Sequence, residues 1–307
     1  MRAVVFAYHN VGVRCLKVLL ARGVDVALVV THLDNPNETI WFESVAELCR
    51  ELNIPFITPD DAKSPELKQR VADCKPDLIF SFYYRHMLPL EVLDLARNGA
   101  YNMHGSLLPK YRGRVPVNWA VLHGETETGA TLHEMAAKPD AGAITAQTAV
   151  PILPDDTAFE VFGKLAVAAE QTLWNVLPAI LAGNPPRLTN DLSRGSYFGG
   201  RKPEDGRIDW EQPAQAVYNL HRAVAPPYPG AFTELAGNIY QIGKARLAEA
   251  HVKMTPPNLP PGLAVVDNCI FGVCGDGRAL LIHELLSNGH PVAPAELQQT
   301  LSSQAKA

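Results

Sequence analysis

The sequence predicts an α/β protein whose larger part is a doubly wound, mostly parallel sheet and whose smaller part is a β-domain. Three observations predict it. Short β-branched runs alternate with longer amphipathic stretches over residues 1–150. The chain has 307 residues, more than one hydrophobic core usually spans, so two domains of unequal size are expected. Beyond Pro185 and Pro186 the pattern changes to turn residues and short β-rich runs.

The N-terminal runs are Ala3 to Ala7, Val26 to Val30 and Leu78 to Phe82. Helical spacing separates them, at Val13, Leu16, Lys17 and Leu20 and again at Val45, Leu48 and Leu52. Strand, helix, strand in succession implies right-handed crossovers and a Rossmann-like sheet covered on both faces. An amphipathic pattern from Asp156 to Leu181, ending before Gly183, predicts one long helix that closes a domain over 1–190. Residues 191–203, Gly- and Arg-rich, read as a linker. The runs Ala231 to Leu235, Asn238 to Ile242, Leu263 to Val266, Ile270 to Val273 and Ala279 to Ile282 predict a small barrel-like (OB-like) domain over 204–290, and 291–307 read as a tail.

Composition excludes several classes. Apolar residues make up 47% and charged residues 19%, so the chain reads as folded throughout apart from its tail. The longest apolar runs fall far short of the roughly 20 residues of a membrane span, and the N-terminus enters a strand at once, so membrane insertion and a secretory signal are not expected and a cytoplasmic location is. Five scattered cysteines show no metal-ligand spacing and read as reduced thiols. The net charge of −5 offers no general attraction to nucleic acid. Tyr8 to Gly12 has one glycine where a dinucleotide fingerprint needs three, so NAD is not expected. Gly272 to Gly277 reads as a hairpin turn.

Ligands of such sheets sit beyond the carboxyl ends of the strands. There the sequence places Asn102 and His104, two apart, so that in an extended chain both side chains point the same way. Gly105 permits an unusual turn where the strand ends. Asp140 lies in the Pro/Gly-bounded turn Lys138 to Gly142. Singly, each residue reads as a satisfied polar group or a turn former. Together, a carboxylate that favours the imidazolium, an imidazole and an amide able to hold an oxyanion fit direct transfer to a nucleophilic substrate, without a Ser or Cys acyl intermediate.

The string Asn102-Met103-His104-Gly105-Ser106-Leu107-Leu108-Pro109-Lys110-Tyr111-Arg112-Gly113, followed by Lys138-Pro139-Asp140-Ala141-Gly142, resembles the 10-formyltetrahydrofolate-dependent formyltransferases. Gly206 to Trp210, Arg222-Ala223-Val224 and Pro229 to Phe232 resemble the start of the family's C-terminal domain, and Cys274 to Gly277 its late hairpin. The resemblance therefore covers nearly the whole chain. It implies that His104 is the general acid toward the leaving folate nitrogen, that Asn102 stabilises the tetrahedral oxyanion, and that Asp140 orients His104 and raises its pKa. It further implies 10-formyltetrahydrofolate as cosubstrate, held against His86, Met87, Leu88, Arg114 and Ala136-Ala137-Lys138-Pro139-Asp140, with no metal.

Two acceptors compete within that family. Gripping tRNA requires clustered Lys and Arg. Thr31 to Cys49 has neither and carries Asp34, Glu38, Glu43 and Glu47, and Glu204 to Ala307 holds seven Lys/Arg against ten Asp/Glu, a net of −3. Phe6 to His9, Thr31 to Pro36 and Ser81 to His86 resemble the formyltransferase domain of the bifunctional polymyxin-resistance enzymes. That resemblance implies UDP-4-amino-4-deoxy-L-arabinose as acceptor, lipid A modification as the setting and folate and a UDP-amino sugar as small-molecule partners without nucleic acid, with methionyl-tRNA formyl transfer as the alternative; the sequence does not set the oligomeric state. Hydrolysis of the donor, or a non-catalytic folate- or sugar-nucleotide-binding module, remain open on the residues alone. By position, His9, Asn10 and the loop Ser106 to Arg114 are candidates for uridine and sugar contacts.

Overall fold

The structure is a computed structural model and describes residues 1–35, 38–248 and 259–304. Pro36, in one of the resemblance strings, and the last three residues of the expected tail lie outside the described residues. In chain order the elements of the first half are β1 (Arg2–Ala7), α1 (His9–Ala21), β2 (Asp25–Val30), α2 (Val45–Glu51), β3 (Phe56–Ile57), α3 (Pro65–Asp73), β4 (Leu78–Phe82), α4 (Leu90–Leu93), β5 (Ala100–His104), β6 (Arg112–Gly113), α5 (Pro116–Leu122), β7 (Glu127–Glu134) and β8 (Ile144–Pro151). There follow α6 (Ala158–Leu181), β9 (Tyr197–Phe198), α7 (Ala214–Val224), β10 (Ala231–Leu235), β11 (Asn238–Leu247), β12 (Gly262–Val266), β13 (Cys269–Val273), β14 (Ala279–Ser287), β15 (His290–Pro291) and α8 (Pro294–Gln304).

The chain divides into two compact units. The first comprises Met1–Pro116, Glu127–Pro151 and Phe162–Gly199. Its seven strands run in the order β3-β2-β1-β4-β5-β7-β8, parallel as far as β5 and antiparallel beyond. The apolar runs of β1 and β4, the second broken only by the buried Ser81, explain their central place. Strands covered on both faces cannot alternate, and Ala3 to Ala7 and Leu78 to Phe82 are all buried. Phe80 stacks on Phe82 and Tyr101 at 5.5 and 5.8 Å, each fully buried ring contributing about 1.5–3 kcal/mol. Two of the flanking helices, α2 and α3, start where a serine side chain satisfies a free amide. Ser44 accepts from Glu47 N at 3.3 Å, and Ser64 accepts from Leu67 N at 3.2 Å with Pro65 in the first turn of α3.

The second unit comprises Val117–Thr126, Ile152–Val161 and Gly200–Ala307. Its antiparallel half-barrel sheet runs β10-β11-β14-β13-β12, with β15 against β14. A bulge between Ile242 and Ala245 bends β11. The expected hairpin at Gly272 to Gly277 joins β13 to β14, and Gly277 takes the left-handed φ of +76° that the turn requires.

Three expectations on segment boundaries differ from what forms. Residues 117–126 and 152–161, read as part of the first domain, lie in the second unit. The stretch read as a tail contains α8, whose weak amphipathicity hid it, although Leu297 is fully buried. The stretch read as a linker is built into the first unit as far as Gly199, where β9 pairs in parallel with β6.

Candidate active site

A cavity of about 810 Å³ opens within the first unit, walled by the segment after β4, the end of β5, the Gly113-to-Pro116 loop and the turn between β7 and β8. Asn102, His104 and Asp140 all line it, so the structure brings the predicted trio together. Of the predicted folate residues, His86, Met87, Leu88, Arg114, Ala136 and Pro139 also line it. Ala137 and Lys138 do not: they form the exposed crest of the turn, and only its two ends face inward. His9 and Asn10 are likewise absent from the lining. The His9 ring stacks on Phe42 at 3.9 Å and meets Trp41 and Phe162 edge-on at 4.6 Å, and Asn10 Oδ1 accepts from Glu43 N at 2.7 Å. Both side chains are thus spent on anchoring the 38–44 loop.

Period-two alternation on β5 turns Asn102 and His104 to the same side. The neighbouring antiparallel strand supplies what the sequence reading missed: register sets His133 of β7 directly opposite Asn102. Its Nδ1–H donates to the Glu134 carbonyl at 2.8 Å, which leaves Nε2 to accept from the Asn102 amide nitrogen at 3.1 Å. The Asn102 amide is thereby oriented, with one hydrogen committed to His133 and a second free for an oxyanion. His133 is 2% exposed and its Nε2 stands 3.5 Å from Asp140 Oδ1.

His104 is equally constrained. Its Nε2–H donates to the Tyr111 carbonyl at 2.7 Å, so Nδ1 is the nitrogen left for chemistry, and it faces Asp140 Oδ1 at 3.6 Å. That distance is too long for a hydrogen bond, and the carboxylate attracts the ring only once Nδ1 is protonated. Asp140 Oδ2 accepts from Gly113 N at 2.8 Å. Burial pushes the Asp140 carboxyl upward, but His104, His133 and the Gly113 amide outweigh it and hold the group below the usual carboxylate range. For His104 the balance reverses. Burial lowers its pKa more than Asp140 and the Tyr111 carbonyl raise it, with His133 adding to the fall. The expected upward push from Asp140 exists, yet the net direction is downward, because the ring is buried to 6% exposure.

Backbone strain marks the same loops. Asp140 has φ 49° and Tyr111 φ 55°, left-handed values that cost a non-glycine residue about 1–2 kcal/mol and persist only where surroundings enforce them. Gly105, expected to supply an unusual turn, has no left-handed φ; what it supplies is room, since a methyl group there would run into the Tyr83 hydroxyl. Gly113 does both, with φ +99° and the Phe198 carbonyl where a side chain would stand. The former linker reaches both loops: Ser196 Oγ accepts from Tyr111 N at 2.8 Å, and Phe198 O accepts from Arg114 N at 3.0 Å.

The cavity's walls mix apolar Met87, Leu88, Leu93, Met103, Met135 and Val115 with the polar cluster at the end of β5, the lining expected for a flat heterocycle with one polar reactive edge. None of the five cysteines lines it. Among the described residues no group of three or more His, Cys, Asp or Glu is arranged to hold a metal ion, and no helix is long and apolar enough to cross a membrane.

The Formyl transferase family model matches residues 1–177, and that of the Formyl transferase C-terminal domain matches residues 201–301. Solved structures of similar fold include an N-formyltransferase from Helicobacter canadensis in complex with folinic acid and dTDP-3-aminofucose, 19% identical with a TM-score of 0.70 over 92% of this chain and 98% of that one. WlaRD, a sugar 3N-formyltransferase solved with dTDP and 5-N-formyl-THF, is 18% identical with a TM-score of 0.73 over 94% and 98%. A 4-N formyltransferase from Francisella tularensis is 22% identical with a TM-score of 0.63 over 78% and 94%. At these identities the likeness is one of fold, whereas the first family model alone spans more than half of the chain. The chain belongs to the formyl transferase family.

Proposed function

We propose that this chain transfers the formyl group of 10-formyltetrahydrofolate to the amine of a UDP-amino sugar, with UDP-4-amino-4-deoxy-L-arabinose as the preferred acceptor. The observation that carries formyl transfer is the convergence of an oriented amide, a buried imidazole with one free nitrogen and an ionised carboxylate in one cavity. The amine attacks the formyl carbon, and the charge that develops on the formyl oxygen falls to the free N–H of Asn102. His104, neutral because burial lowers its pKa, takes the amine's proton at Nδ1 and returns it to the departing folate nitrogen. Asp140 stabilises the imidazolium formed between those two steps. His104 therefore remains the general acid of the second step, charged by the first.

Charge supports a small acceptor over tRNA. Two of the four acidic residues of segment 31–49 are spent on the protein itself, with Glu38 paired to Arg85 at 2.7 Å and Asp34 accepting from Tyr8 at 2.8 Å. That segment contains no Lys or Arg with which to hold a tRNA phosphate. The similar proteins solved with nucleotides and folates support a small nucleotide-linked acceptor. Through this acceptor the reaction would belong to lipid A modification and polymyxin resistance.

The test is incubation with 10-formyltetrahydrofolate and, separately, UDP-4-amino-4-deoxy-L-arabinose, other 3- and 4-amino sugar nucleotides and methionyl-tRNA, followed by mass detection of formylated product. The aminoarabinose nucleotide should react fastest. Formylation of tRNA without any sugar product would reject the acceptor.

A further inference from the structure

We propose that Asn190 is a positioning residue for formyl transfer: from outside the cavity its amide holds the backbone of the Asp140 turn so that the Asp140 carboxylate meets His104 and His133. The inference rests on the catalytic reading of Asn102, His104 and Asp140.

Asn190 Nδ2 donates to the Asp140 carbonyl and to the Gly142 carbonyl, both at 3.0 Å. One nitrogen thus spends its two hydrogens on carbonyls either side of Ala141. Asp140, at φ 49°, needs such an outside restraint, because its own conformational preference lies elsewhere. On the opposite flank its carboxylate is held by Gly113 N. The Asn190 amide oxygen is buried and has no hydrogen-bond partner, so the side chain is present for its N–H groups. The reversed amide would set that oxygen against two carbonyl oxygens, which fixes the orientation. The segment bearing Asn190 is itself anchored. Leu188 and Ile144 exchange backbone hydrogen bonds at 2.8 and 2.9 Å, and Arg187 pairs with Glu134 at 2.8 Å. Asn190 touches no reacting atom; it works through Asp140.

The experiment uses the full chain carrying Asn190→Leu, similar in size but without donors, alone and combined with Asp140→Asn. Formyl-transfer kcat is measured for each, and the His104 ring nitrogens are titrated by NMR without substrates. Asn190→Leu should lower kcat about tenfold or more in the parent background and add little once Asp140 is already disabled. The His104 titration should move to lower pH in Asn190→Leu, in the direction that Asp140→Asn produces. An equal fall in both backgrounds, or an unmoved His104 titration, would overturn the proposal. A moved titration with unchanged kcat would reject the catalytic reading of Asp140, and the positioning role with it. If the leucine variant does not fold, Asn190→Ser, whose single short hydroxyl cannot span both carbonyls, answers the same questions.

Discussion

His104 makes one short hydrogen bond, to a backbone carbonyl, and turns its other nitrogen toward a carboxylate that stops short of bonding it. That arrangement sets the direction of the pH dependence. Burial places the His104 pKa below its ordinary 6.5, so the neutral ring that the proposed mechanism uses to take the amine's proton persists through neutral pH. The rate should fall only as pH drops through the depressed pKa. Asp140→Asn removes the larger of the two upward influences, so its acid limb should lie at still lower pH while its plateau rate drops by about a hundredfold or more. Profiles of kcat/KM against pH for parent and variant check both statements. An acid limb unchanged by Asp140→Asn would break the link between the two residues. That Asn102 and His104 share one face was legible in the sequence because strand alternation is a local pattern. His133 was not, since its partnership with Asn102 is made across two strands and 31 residues of chain, and nothing near it in sequence announces it.

Three strands of the parallel sheet, β1, β2 and β4, follow their apolar runs almost residue for residue, because buried strands write their position as nearly continuous hydrophobicity. The segment from Arg187 to Phe198 was illegible for the opposite reason. Its polar, Gly- and Ser-containing composition is that of a linker, yet its backbone groups and two side chains find partners on the loops of the candidate site. The turn it clasps is tight: a methyl group on Gly142 would meet the Glu134 carbonyl oxygen. Gly142→Ala should therefore push the turn outward, costing about 1–3 kcal/mol of stability and displacing Asp140 from His104. Thermal denaturation and turnover, measured together, should both fall. Full activity in this variant would show that the turn tolerates displacement.

Across the whole molecule, several histidines share the low-pKa condition of His104. Burial takes His9 down to about 3, with Arg85 contributing, and His32 to about 4, with His86 and Arg85 contributing. In the second unit, burial and Arg222 take His221 to about 4. An unfolded chain protonates such residues near 6.5 and the folded one much lower, so between those values the unfolded state binds more protons. Stability is complete above 6.5 and is lost progressively as pH falls toward the folded values. Melting temperatures should be level near neutrality and decline below about pH 6.5, well before ordinary carboxylates titrate. A level profile down to about pH 4.5 would contradict the burial of these rings.

The chain passes between its two compact units at 116/117, 126/127, 151/152, 161/162 and 199/200. Polar partnerships inside the second unit tie those early excursions to late residues: Asn118 donates to the Ala223 carbonyl at 2.8 Å, Tyr218 donates to Asp155 at 2.8 Å, and Arg222 donates to the Asp156 carbonyl at 3.0 Å. A gene truncated after Gly199 would still encode 117–126 and 152–161 but not the late residues that partner Asn118, Asp155 and the Asp156 carbonyl. Recombination that exchanges the second unit between relatives must therefore carry three separate stretches of coding sequence, and a single crossover in the segment that resembles a linker would produce a mismatched chimera.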